Sequence, residues 1–176
     1  MNTGKTIVCI DGPNLGATSK LLGANIDYKS LLITLKESYD VLRVYYYTAT
    51  TNAEEYNSIR PLLDYLSYNG YTVKTKTVKV FTGPNGERKV KGNMDVEIAV
   101  DMMKFSSNVD NIILMTGDGD FRYLVEELQN RGVKVILVST VRGKTGILAD
   151  ELRRQVDEFI DLAELVYIPE IMEQIL

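Results

Sequence analysis

Histidine is absent from the 176-residue chain, and cysteine occurs once, at Cys9. Without histidine, no Ser-His-Asp or Cys-His nucleophile can be assembled, and no His-ligated zinc site either. A single thiol excludes an intramolecular disulfide framework and thiolate zinc or iron–sulfur chemistry, and it fits a reducing, cytoplasmic setting. Cys9 lies inside an apolar run and reads as an inert core thiol. Long hydrophobic stretches are also missing. No run approaches the roughly 18 apolar residues of a membrane span, and the strand-like amino terminus is too brief for a secretory signal, so no membrane partner is expected. Neither sign of charge dominates: a net charge of −4 with 25% charged residues argues against disorder and gives no global sign of a nucleic-acid partner. Repeats, low-complexity tracts and linkers are absent as well, so residues 1–176 read as one domain. Chemistry in such a chain must rest on carboxylates, hydroxyls, amines and an oxygen-bound hard cation.

What the chain has is alternation. Residues 7–10 (IVCI), 41–47 (VLRVYYY), 112–115 and 133–138 are short apolar or β-branched runs that predict strands. Residues 28–38, 53–68 and roughly 94–105 carry helical spacing, the second stretch ending at Asn69-Gly70. Strands alternating with helices predict an α/β fold around a mostly parallel, buried sheet. Residues 71–93, YTVKTKTVKVFTGPNGERKVKGN, break the rule. They alternate Val and Thr with Lys, turn at Gly83-Pro84-Asn85-Gly86, and predict a protruding β-hairpin. Six basic residues (Lys74, Lys76, Lys79, Arg88, Lys89, Lys91) stand there against Glu87 alone. They either protect an edge strand or contact a phosphate backbone.

Open α/β sheets bind ligands beyond the carboxyl ends of their strands. Asp11 follows the first strand in IDGPNLG, and Asp118 and Asp120 follow a later one in NIILMTGDGDF. Asp95 stands just inside the helix KGNMDVEIAVDMM. Each has a local alternative: Asp11 as a turn former, Asp95 as a first-turn helix acid, Asp120 as the N-cap of a helix beginning at Phe121. If they converge, like charges oppose each other, a conflict that a divalent cation removes; all-oxygen donors favour Mg2+ or Mn2+. Asp101, six residues beyond Asp95, is expected on another side of the helix as a supporting or surface residue. Two phosphate-loop patterns fail. Gly117-Asp118-Gly119 meets Arg122 where the dinucleotide fingerprint needs glycine, and Gly143-Lys144-Thr145 follows Val138 where a P-loop needs one. Arg142 and Lys144 remain candidates for an anion near the strand end.

Taken together, IDGPNL, KGNMDVEIAVDMM, ILMTGDGDF and the tail ADELRRQVDEFIDL resemble the NYN domain in its LabA-like (DUF88) branch, related to PIN-domain nucleases. The resemblance runs from about residue 5 to about residue 165. It implies a three-layer PIN-like fold, with helices on both faces of the sheet, and metal-dependent ribonuclease activity on RNA. By motif position it implies Asp11, Asp95 and Asp118 as metal ligands. Asp120 beside them would be a catalytic acid that completes the coordination or orients water. It places Asn14 in the D-x-x-N start, to contact a phosphate or a ligating carboxylate, and Ser139 where relatives often keep a hydroxyl. Gly119 stands where relatives often have serine. Lys91, Arg142 and Lys144 join Asn14 and Ser139 as expected substrate contacts, and a homodimer is compatible with this reading. Two rivals stand beside it. One is a catalytically inactive RNA- or protein-binding module on the same fold. The other is a haloacid-dehalogenase-type phosphatase, which needs a second aspartate where Pro13 stands.

Overall fold

A computed structural model describes the backbone of residues 2–142 and 147–166, and the side chains of all these except residues 2–3 and 88–91. The chain runs β1 (Asn2–Asp11), α1 (Gly12–Leu21), α2 (Tyr28–Ser38), β2 (Tyr39–Thr50), α3 (Ala53–Tyr68) and β3 (Tyr71–Thr77). It continues through β4 (Lys79–Thr82), β5 (Arg88–Lys91), α4 (Asp95–Phe105), β6 (Asn111–Met115), α5 (Arg122–Asn130), β7 (Lys134–Ser139), α6 (Asp150–Gln155) and β8 (Glu158–Asp161). Six strands form one sheet in the order β3-β2-β1-β6-β7-β8, every neighbouring pair parallel.

A parallel sheet of this kind is covered on both faces, so its strands need no polar side. Val8, Cys9, Ile10 and residues 112–115 are accordingly 0% exposed without alternation. Their side chains nonetheless divide by the pleat. Val8, Ile10, Ile113, Met115, Ile136 and Val138 meet Leu15, Leu31, Leu35 and Leu66 of α1–α3. Cys9, Ile112, Leu114, Val135 and Leu137 meet Ile98, Met102, Val125, Leu128 and Leu152 of α4–α6. Each such aliphatic burial contributes about 1.5–3 kcal/mol, so the two cores supply the driving force for a three-layer α/β sandwich.

Two local expectations change. Asp11-Gly12-Pro13-Asn14 is not only a turn: it opens α1, because Asp11 caps the helix and Pro13 fits the first turn, where no N–H is needed. The basic stretch is also shorter as a hairpin than its alternation predicts. Tyr71–Thr77 joins the main sheet as edge strand β3, and only β4 and β5 form the antiparallel ribbon. The break falls at Val78, whose side chain is buried and whose N–H donates to the Thr50 carbonyl at 2.8 Å. Among the described residues, no helix is long and apolar enough to cross a membrane.

Candidate metal centre

The strand order reverses between β1 and β6, and the crevice beyond the carboxyl ends at such a switch point is where open α/β sheets place ligands. Asp11 ends β1 on one side of that crevice. Its Oδ1 accepts the Asn14 N–H at 3.4 Å and its Oδ2 accepts the Thr116 hydroxyl at 3.0 Å. Asn14 in turn uses its side-chain carbonyl to accept the Gly117 N–H at 2.9 Å. The loops leaving β1 and β6 are therefore joined by side chains on both sides of the switch.

Asp118 follows β6 on the other side. Its Oδ1 accepts the Asp120 N–H at 2.9 Å and caps a 3₁₀ turn, Gly119–Phe121, that precedes α5. The capping role expected of Asp120 thus belongs to Asp118, since the chain turns before the helix proper begins; Asp120 stays exposed. Asp95 is the first residue of α4, where Met94 offers no capping side chain, and the Asn93 side-chain amide donates to its Oδ2.

Asp11, Asn14, Asp95 and Asp118 line one cleft of about 400 Å³, with Glu55, Asn93 and Val78 on its walls. Asp95, Asp118 and Asp120 each present a carboxylate oxygen, and these lie within 4.8 Å of one another. Burial and neighbouring charge move the Asp95 and Asp11 carboxyls out of their ordinary range. Burial, with Asp118 and Asp11 adding to it, pushes the Asp95 carboxyl from 3.8 up to about 6, against the pull of the Asn93 hydrogen bond. Burial also holds Asp11 above its ordinary value, opposed by its hydrogen bonds from Thr116 and Asn14. Such a donor set fits a hard cation. All the donors are oxygens, and ligands placed about 2.0–2.1 Å from Mg2+ on opposite sides are about 4 Å apart, close to the spacing here.

The remaining candidates lie apart. Ser139 ends β7 at 2% exposure and does not line the cleft; its hydroxyl has no hydrogen-bond partner among the described residues. Arg142 is half exposed, with Nε 3.8 Å from Asp161 Oδ2. Lys91 ends β5 opposite Lys79, and its side chain lies outside the described residues, as does Lys144 altogether. Lys74 and Lys76 share a face of β3, as their spacing requires, but meet Asp101 and Glu97 of α4 at 2.5 and 2.8 Å. Asp101 is consequently buried rather than a surface residue, and it also accepts the Tyr47 hydroxyl at 2.9 Å.

Sequence reasoning passed over Thr116 and Asn93. The signal for Thr116 was a hydroxyl ending an otherwise apolar strand, and for Asn93 an amide two residues before an aspartate. The two glycines of the acidic turn are tight. A Cβ on Gly117 would overlap the Ile147 carbonyl, and one on Gly119 would come 2.6 Å from Glu151 Oε1 and 3.0 Å from Ala149 Cβ. Serine at position 119 would require Glu151 to turn away.

A fully parallel α/β sandwich with acids gathered at the strand-order switch defines a PIN-like protein. The NYN domain model matches residues 5–164, and the chain belongs to the NYN domain family. It is 32% identical over 162 residues to the low amplitude and bright protein LabA of Synechococcus elongatus, a match covering 90% of this chain and 83% of that protein. The chain is thus a LabA-like NYN protein. A crystal structure of a protein of unknown function from Vibrio parahaemolyticus shares the fold, with a TM-score of 0.74 at 24% identity, over 93% of this chain and 95% of that one. The NYN family sits within the PIN-like nuclease superfamily, whose members are typically nucleases.

Proposed function

We propose that the chain, acting as one unit over residues 1–176, is a metal-dependent ribonuclease that hydrolyses RNA phosphodiester bonds. The observation that carries this reading is the group of Asp95, Asp118 and Asp120, whose carboxylate oxygens lie within 4.8 Å of one another, with Asp11 lining the same cleft and Asp95 pushed up to about 6. Burial is the main cause of the rise at Asp95 and the neighbouring carboxylates add to it, a cost that a bound cation would offset.

Asp11, Asp95 and Asp118, with Asp120 at the outer edge, would hold Mg2+ or Mn2+. A cation held there would supply Lewis-acid activation of water and charge stabilisation for the departing oxygen. The chain's own residues prepare the site. Thr116 and Asn14 fix the rotamer of Asp11, so its carboxylate is aimed before any ligand arrives. Asn14 keeps the Asp118 loop in register with β1 through Gly117. Asn93 orients Asp95 at the mouth of α4. Asp120, whose N–H is held by Asp118, leaves its carboxylate exposed to complete the coordination or to orient water. Histidine is absent, so proton transfer falls to carboxylates and water. Arg142, tethered to Asp161 and half exposed, is the described cation at the strand ends that can meet a phosphate.

The test is turnover of end-labelled RNA by the purified protein with manganese, with magnesium and with chelator. A small aromatic phosphate monoester serves as a control for phosphatase chemistry. Cleavage of RNA alone, only with metal, supports the reading. RNA bound but never cut makes the chain a binding module, and turnover of the monoester makes it a phosphatase.

A further inference from the structure

The ribbon formed by β4 and β5 grows from the rim of the acidic cleft. Val78 at its entry and Gly92 and Asn93 at its exit all line that cleft. Both roots are fastened. Val78 donates its N–H to Thr50, and Lys76 Nζ donates to the Asn93 carbonyl at 3.1 Å. The tip is equally defined: Gly83 N–H donates to the Glu87 carbonyl at 2.7 Å, and Gly86 takes φ 78°. The arm is a built feature, and the question is what it meets.

Its composition answers in part. Lys79, Arg88, Lys89 and Lys91 stand against Glu87, in a chain whose net charge is −4. Lysine is depleted from the cores of protein–protein interfaces, so this charge favours a polyanion over a protein surface. The second feature is Phe81, an aromatic side chain 50% exposed in β4 and, among the described residues, a member of neither core cluster. Protecting an edge strand needs charge, not an exposed ring. Lys79 and Phe81 are two residues apart and share a face of the ribbon. The register sets Lys91 opposite Lys79 and Lys89 opposite Phe81. Phe81 is three residues beyond Val78, hence about 10 Å from the cleft rim along the strand.

We propose that the β4–β5 arm is a binding platform for single-stranded RNA, on which Phe81 stacks an unpaired base while Lys79 holds an adjoining phosphate. This rests on the ribonuclease reading and adds the strandedness of the substrate. A base can lie on an aromatic ring only when it is out of a duplex. Phosphate contacts alone would accept duplex and single strand alike. The arm would thus select unpaired segments and lead them to the carboxylates at its root.

The chain contains no tryptophan, so Phe81→Trp introduces a single indole reporter. Its fluorescence is titrated in chelator, where nothing is cut, with an oligouridine strand and with the oligouridine–oligoadenine duplex. In parallel, anisotropy of labelled oligouridine is measured for the wild type, Phe81→Ala and Lys79→Gln at two salt concentrations. The expected result is saturable quenching by the single strand and not by the duplex. Phe81→Ala should lose between about fivefold and about a hundredfold in affinity with an unchanged salt slope. Lys79→Gln should flatten the slope by about 0.7. If the wild type binds oligouridine while the Phe81→Trp signal stays constant and Phe81→Ala binds as tightly, the platform is wrong and the ribonuclease reading stands. Equal quenching by duplex overturns the single-strand preference. A wild type that neither binds RNA in chelator nor cuts it with manganese removes the ribonuclease reading, and the platform with it.

Discussion

Lys74 Nζ lies 2.5 Å from Asp101 Oδ2, joining the edge strand β3 to the middle of α4. One step along each element, Lys76 Nζ meets Glu97 Oε1 at 2.8 Å. The two pairs match because two residues of strand advance about 6.6 Å and four residues of helix advance about 6 Å. Asp101 also accepts from Tyr47 on β2, so α4 is held by two strands below the turn that presents Asp95. Close by, burial pushes the Cys9 thiol up to about 12, which makes it a core group and not a nucleophile.

Removing the Asp101 carboxylate leaves Lys74 and the Tyr47 hydroxyl without their partner on α4. Asp101→Ala should lower the free energy of unfolding by about 2–3 kcal/mol, below the value for a fully buried pair because the Lys74 side chain is 37% exposed. Urea denaturation reads this directly. A change under about 0.5 kcal/mol would show that α4 is held by its apolar face alone.

Lys74 and Lys76 are committed to α4, whereas Lys79 is exposed on the arm. Lys76→Gln keeps an N–H donor for the Asn93 carbonyl at the arm's root, so it should leave the salt dependence of RNA binding near wild type. It should cost under about 1 kcal/mol of stability, since both partners of the ion pair are more than a third exposed. Anisotropy titration at two salt concentrations decides. A slope reduced as far as Lys79 is expected to reduce it would mean that RNA displaces Glu97 from Lys76.

Asp118→Asn keeps a capping oxygen for the Asp120 N–H but removes one charge from the acidic group. Metal-dependent cleavage should be lost, while the melting temperature without metal holds or rises, because Asp118 is among the charges that raise Asp95. Wild-type cleavage rates from purified Asp118→Asn would assign the activity to another site or another protein.

Asp95 binds its proton more tightly in the folded chain than in the unfolded one, with a value of about 6 against 3.8. Between these values Asp95 is more protonated in the native state, so its own contribution to stability without metal should fall as pH rises from about 4 to about 6. Asp11, also raised, acts in the same direction as Asp95. Asp27, Glu55 and Glu97, whose hydrogen bonds hold them below their ordinary values, follow the opposite trend. Metal binding requires the ionised carboxylates, so stabilisation by manganese should grow across the same interval. Melting temperatures with manganese and with chelator from pH 4 to pH 7 test both statements. The stability of the wild type minus that of Asp95→Asn in chelator should fall with pH across this interval, and a difference that rises would contradict the assignment.

The sequence by itself determined the central strands, the helices α2 to α4 and the placement of Asp11, Asp95 and Asp118 at element ends. Apolar runs of four to six residues flanked by Gly, Asp and Asn mark strands and their exits through short-range forces, so Asp11, Asp95 and Asp118 could be set at strand or helix ends without a structure. The LabA-like motifs were legible for the same reason, being short and contiguous. The tertiary structure decided which exits meet. The reversal of strand order between β1 and β6 brings Asp11 opposite Asp118, and no local pattern encodes a neighbour about a hundred residues away. It also decided the fate of the lysines. Val-Lys-Thr-Lys alternation reads identically in a solvent-facing ribbon and in an edge strand beside an acidic helix, and only the docking of α4 turned Lys74 and Lys76 inward. Capping passed from Asp120 to Asp118 because a 3₁₀ turn tightens the chain before α5, in a loop where Ile147 and Ala149 leave no room for a Cβ at positions 117 and 119. Side-chain direction depends on what packs against an element, and that is a property of the assembled fold.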